Sequence, residues 1–64
     1  MRIDRVKLIT EMARREMGVN ALAAKCSMSR ATVTAVKTGK TCSEQTAKRL
    51  AEGLGVPLAA LLEE

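Results

Sequence analysis

Leu22-Ala23-Ala24-Lys25-Cys26, then Ser27-Met28-Ser29, then Arg30-Ala31-Thr32-Val33-Thr34-Ala35-Val36-Lys37-Thr38 and Gly39-Lys40: this run decides the fold. Three residues between two helical patterns leave room only for a tight connection, with Met28 placed as an apolar plug where the helices cross. Ser29 is an N-cap for the segment that follows, because its hydroxyl can accept a hydrogen bond from a free N–H of the first turn. At about 100° per residue, Val33 and Val36 point one way, toward a core, while Ala31, Thr34, Ala35 and Thr38 point roughly the opposite way. Arg30 stands at the exposed N-terminal edge, and Gly39 closes the helix.

Outward from this unit the periodicity stays helical. From Asp4, a cap, to about Met17, the apolar residues Val6, Ile9, Met12 or Ala13, and Met17 recur at three- and four-residue steps, and Gly18 ends the pattern. The second helix gathers Val19, Leu22, Ala23 and Cys26 on one face, with Gly18 or Asn20 as its cap. Downstream, Ser43 caps a fourth helix whose Ala47, Leu50, Ala51 and Leu54 fall at i, i+3, i+4 and i+7, and Gly55 ends it. Pro57 suits the first turn of a last short helix carrying Leu58, Leu61 and Leu62. With no linker or repeat, residues 1–64 read as a single all-α, compact five-helix domain built around a helix-turn-helix.

Composition narrows the function. A chain of 64 residues without Phe, Tyr or Trp builds its core from aliphatic residues and Met, and has little room for a catalytic cleft. There is no His, and Cys26 and Cys42 are the only thiols, so no closed zinc site can form within one chain. Paired carboxylates, a Gly-rich phosphate loop and an activated Cys are likewise missing, so the expectation is a binding protein, not an enzyme, with no cofactor, metal or small-molecule substrate. Cys26 reads as a small buried hydrophobe and Cys42 as a loop thiol, which fits a reducing compartment. No apolar run is long enough to span a bilayer and no signal peptide precedes the domain, so a cytoplasmic location, nucleoid-associated when bound to DNA, is expected.

The net charge of +4 matters less than its placement. From Met17 to Ser43 the chain carries Lys25, Arg30, Lys37 and Lys40 and no Asp or Glu. An acid-free block centred on a helix-turn-helix pattern suits a polyanion, and double-stranded DNA is the expected partner, with helix three (about 29–38) in the major groove. Arg30 is the long side chain on that face able to bond guanine O6 and N7 in bidentate fashion, or else to clamp a phosphate. Ala31, Thr34 and Ala35 offer methyl groups to thymine and allow close approach. Ser29 and Thr32 by the helix start, with Lys37, Thr38, Lys40, Thr41 and Ser43 along and after it, are the expected backbone contacts. One strong base reader specifies little, so two copies on half-sites about one helical turn apart are expected, joined as a homodimer through Val56, Leu58, Leu61 and Leu62 beside the loop at Cys42.

Leu22-Ala23, the turn Ser27-Met28-Ser29, the run Arg30-Ala31-Thr32-Val33 with Val36, Gly39-Lys40, and Leu50-Ala51 … Leu54-Gly55-Val56-Pro57-Leu58 … Leu61 together resemble the Cro/repressor-type helix-turn-helix regulators of phages and bacteria. The resemblance covers nearly the whole chain. It implies a lambda-repressor-like DNA-binding fold and a transcriptional regulator, most often a repressor, bound to a palindromic operator as a symmetric dimer. Three positions depart from the family pattern: Val19 where Gln often contacts phosphate, Ser27 where the turn often has Gly, and Met12 with Lys37 where an Arg–Glu pair is common. The last two change together, which leaves no orphaned buried charge. Competing readings are a protein-interaction module or antitoxin, using Leu58, Leu61 and Leu62, and an accessory DNA-binding factor of a mobile element.

Overall fold

The computed structural model describes residues 2–63, with α1 (Arg5–Arg14), α2 (Val19–Cys26), α3 (Arg30–Lys37), α4 (Glu44–Leu54) and a single 3-10 turn at Leu58–Ala60. The expected fifth helix is therefore one turn of 3-10 geometry: Pro57 precedes it in extended conformation, and by Leu62 the chain is already pairing with the N-terminal segment. Three helices start at the caps legible in the sequence. Asp4 accepts from the N–H groups of Val6 and Lys7, at 2.9 and 3.2 Å, Ser29 from Thr32 at 3.2 Å, and Ser43 from Thr46 at 3.1 Å. α2 starts at Gly18 without a side-chain cap.

All four α-helices stop by one device, a left-handed residue followed by an N–H that reaches back to a carbonyl of the last turn. The bonds are Met17 to Met12 at 2.9 Å, and Met28 to Ala23, Lys40 to Ala35 and Val56 to Ala51 at 3.0 Å. Gly39 and Gly55 hold the left-handed position in two cases, but Glu16 (φ 53°) and Ser27 (φ 56°) hold it in the others. α1 consequently ends at Arg14, short of Met17, and Gly18 opens α2 instead of closing α1. Each of these L-residues costs about 1 kcal/mol in that conformation, offset by the carbonyls it satisfies.

α2 lies between α3 and α4, α1 packs on α3, and the 3-10 turn packs on α4. The core combines Leu8 and Met12 of α1, Leu22, Ala23 and Cys26 of α2, Val33 and Val36 of α3, and Ala47, Leu50, Ala51 and Leu54 of α4, sealed by Ile3 and Leu61. Full burial of each Leu is worth about 2 kcal/mol. Among the described residues no polar or charged side chain is buried. α2 and α4 approach most tightly at Gly53, where an added Cβ would overlap Cys26 Sγ.

Two expectations change here. α1 buries Leu8 and Met12, not the stripe through Val6 and Ile9, which are 66% and 41% exposed. Both stripes have helical spacing; what selects between them is a non-local clamp. The Asp4 N–H donates to Leu61 O at 2.8 Å, Ile3 forms an isolated antiparallel bridge with Leu62, and Lys7 Nζ donates to Leu62 O at 3.0 Å. That clamp fixes how α1 is rotated. It also seats Leu61 in the core at 0% exposure, so Leu61 has no surface to give the dimer contact expected of it. Val56 and Leu58 are half-buried against the same core, and Leu62 is half-buried.

Candidate nucleic-acid interface

α3 is anchored from behind by Val33 and Val36, at 0% and 2% exposure, and presents its other side to solvent. Arg30, Ala31, Thr34 and Thr38 are exposed and Ala35 is half-buried. Together with Val19, Asn20, Ser29 and Lys40 they line one shallow depression. The structure thus brings the four expected base-contact residues onto one open surface, with Lys40 at its C-terminal edge. Thr41 and Ser43 are exposed in the loop that follows, and Lys37 is half-buried on the flank of the helix.

Hydrogen bonding sorts the hydroxyls by what they have left to offer. A phosphate oxygen only accepts, so a hydroxyl serves it by donating its proton. Thr38 Oγ1 already donates to Ala35 O at 2.9 Å, and Ser43 Oγ donates to Thr46 Oγ1 at 3.0 Å while capping α4. Ser29 and Thr32 share one hydrogen bond at 2.8 Å, which leaves one of their two protons uncommitted. Thr34 and Thr41 spend theirs on no described residue. The first turn of α3 adds its own unpaired N–H groups, apart from that of Thr32, which the Ser29 cap consumes.

In sequence Asn20 reads only as a possible cap of α2, a place that Gly18 takes. Its Oδ1 accepts from Arg30 Nη1 at 3.3 Å, which holds the guanidinium over the N-terminal end of α3. An amide whose oxygen is so used keeps its two Nδ2 hydrogens as donors. The sequence signal was its neighbour: the polar residue at the start of α2 is displaced by one position, with Val19 turned onto the core and Asn20 toward α3.

Charge follows the same surface. Lys37 and Lys40 form no salt bridge with a described residue, whereas Arg14 and Arg15 pair with Glu11 at 3.3 and 2.7 Å and Lys48 approaches Glu44 at 3.7 Å. Lys37 and Lys40 are thus unneutralised by any described residue, while Arg14 and Arg15 on α1 and Lys48 on α4 face carboxylates. Lys25 stands apart, in a depression with Cys26, Arg49 and Glu52. Cys26 beside it is buried and Cys42 half-buried, and both are free thiols. Burial pushes the Cys26 thiol above its ordinary value, against smaller opposing effects of a backbone hydrogen bond from Gly53 and of Lys25, and burial likewise raises Cys42.

A family profile described as helix-turn-helix matches residues 11–61, from the second half of α1 to the 3-10 turn. The chain belongs to the Cro/repressor-type helix-turn-helix family. This is a family of DNA-binding transcription regulators, and the matched span contains α2, the turn, α3 and α4. No curated protein and no solved structure matches the chain. In this helix-turn-helix domain the three departures from the family pattern have local explanations. Asn20 stands beside Val19, Ser27 adopts the left-handed conformation that Gly often supplies, and Met12 is a core residue at 3% exposure. No helix among the described residues is long and apolar enough to cross a membrane.

Proposed function

We propose that this helix-turn-helix domain, residues 1–64 as one unit, is a sequence-specific transcriptional repressor that binds a palindromic operator as a homodimer with α3 in the major groove. The observation that carries the reading is the outward face of α3, where Asn20 braces a single bidentate-capable side chain, Arg30. Arg30 reads guanine through O6 and N7, at about 1–3 kcal/mol of discrimination, while Ala31, Thr34 and Ala35 meet thymine methyl groups or admit close approach. Lys37, Lys40 and Thr41, with the Ser29–Thr32 end of the helix, set register on phosphates, and Thr38 and Ser43 do so only by giving up their internal bonds. The half-buried Val56, Leu58 and Leu62 are the dimer surface that remains once Leu61 is assigned to the core. The site of action is the cytoplasm, on the nucleoid.

Selection of bound sequences from a random duplex pool tests this reading. The expected result is a palindrome with a guanine in each half-site, about one helical turn apart, whose preference at that guanine disappears in Arg30→Ala. In Asn20→Ala the same guanine should be read less sharply, because Arg30 loses its brace. Recovery of no enriched sequence, or of one whose guanine survives Arg30→Ala unchanged, would contradict it.

A further inference from the structure

We propose that Arg5 is a DNA-backbone contact that carries the interface beyond the C-terminal end of α3 onto the first turn of α1; the inference rests on the reading of α3 as the DNA-binding helix. Arg5 lies beside the residue that closes α3: a Cβ built on Gly39 would meet Arg5 Cδ at 3.9 Å. Arg5 and Lys7 line a cleft with Thr38 and Gly39, and Thr38 is also a wall of the depression that holds Asn20, Arg30 and Lys40. One continuous surface therefore runs from the start of α2, along α3, to Arg5.

The charges in this cleft are spent within the chain, except at Arg5. Asp4 caps α1, Glu63 Oε1 takes Arg2 Nε at 2.9 Å, and Lys7 Nζ donates to Leu62 O at 3.0 Å. Arg5 is exposed and makes no hydrogen bond or ion pair with a described residue. It also sits in the first turn of a helix with no acidic residue there, so its charge opposes the positive end of the helix dipole. Among the described residues only the Asp4 carboxylate, already committed to the N–H groups of Val6 and Lys7, offsets that end of the helix, and none pairs with Arg5. A phosphate beyond the end of α3 would do so, and the planar guanidinium fork matches it in bidentate fashion.

Binding of a fluorescein-labelled mixed-sequence duplex of about 20 base pairs, long enough for two half-sites, tests the assignment by anisotropy over a range of salt. Arg5→Gln should weaken binding about eightfold per protomer at about 0.1 M salt and lower the salt slope by about 0.9 per protomer. The loss should be the same for every sequence, and Arg5→Lys should restore most of the slope. Circular dichroism should show Arg5→Gln folded and melting no lower than wild type. An Arg5→Gln protein with wild-type affinity and slope, when Lys40→Gln loses both, overturns the assignment of Arg5 alone. A wild-type chain that binds no duplex overturns the reading of α3 and this assignment with it.

Discussion

Gly53→Ala sets two known effects against each other at one place in the fold. Ala is favoured over Gly in a helix by about 1 kcal/mol, and Gly53 lies within α4. Its new Cβ would overlap Cys26 Sγ, and it would also stand 3.7 Å from Cys26 Cβ and 3.8 Å from the Cys26 backbone N. Cys26 is only 6% exposed and sits on a helix held by Leu22 and Ala23, so either its sulfur turns against packed neighbours or the two helices separate. Overpacking of this kind costs about 1–3 kcal/mol, which outweighs the helix gain. The expected net loss is about 1 kcal/mol, or about 4–8 °C in melting temperature for a domain of this size. Cys26→Ala alone opens a small void at about 1 kcal/mol. Combined, the new methyl fills that void, so the double variant should be more stable than the sum of the singles by about 1 kcal/mol or more. Thermal and urea melts followed by circular dichroism measure all four proteins. A Gly53→Ala protein at or above wild-type stability, or strictly additive singles, would refute the tight helix crossing.

Other consequences can be read from the same melts. Ser29→Ala removes the cap of α3 and should cost about 1 kcal/mol; an unchanged melting temperature would mean the cap bond contributes nothing. Leu8→Ala should cost about 2–5 kcal/mol, while Val6→Thr, on the exposed face of the same helix, should stay within about 0.5 kcal/mol, and equal losses would mean α1 is rotated differently. Because both thiols are raised in the folded chain, the unfolded chain loses its thiol protons first once the pH passes the ordinary value of 9.0. The native state then holds more protons, so stability is full below that pH and falls above it until the folded thiols ionise. The fall in urea midpoint above pH 9.0 should shrink in Cys26→Ala/Cys42→Ala; an identical fall would assign it to other groups.

The helix-turn-helix was legible because its signals are local. Ser29 and Ser43 cap by short-range hydroxyl bonds, Val33 and Val36 repeat at the helical step, and Gly39 and Gly55 mark left-handed positions that favour Gly. Where a residue type does not announce its conformation, the sequence says less: Glu16 ends α1 in the left-handed region with nothing to mark it, whereas Ser27 is marked only by the family pattern, which often has Gly there. Non-local contacts were equally silent. Pairing of Ile3 and Asp4 with Leu61 and Leu62 rotates α1, exposes Val6 and Ile9, and draws Leu61 inward, yet the partners stand at opposite ends of the chain. Asn20 was missed as a partner of Arg30 for a related reason. Its role needs the side chain of Arg30 to lean back across the turn, which spacing alone does not reveal.

The central claim, that the outward face of α3 meets DNA, is tested most directly by titrating the isotope-labelled chain with its selected duplex and following backbone amide resonances. The largest shifts should fall on Asn20 and on Ser29 through Thr41, with Val33 and Val36 moving less than Ala31 and Thr34. Duplex-saturated protein in which α3 is unmoved and the shifts collect on Val6, Ile9 and Ala13 would contradict the account.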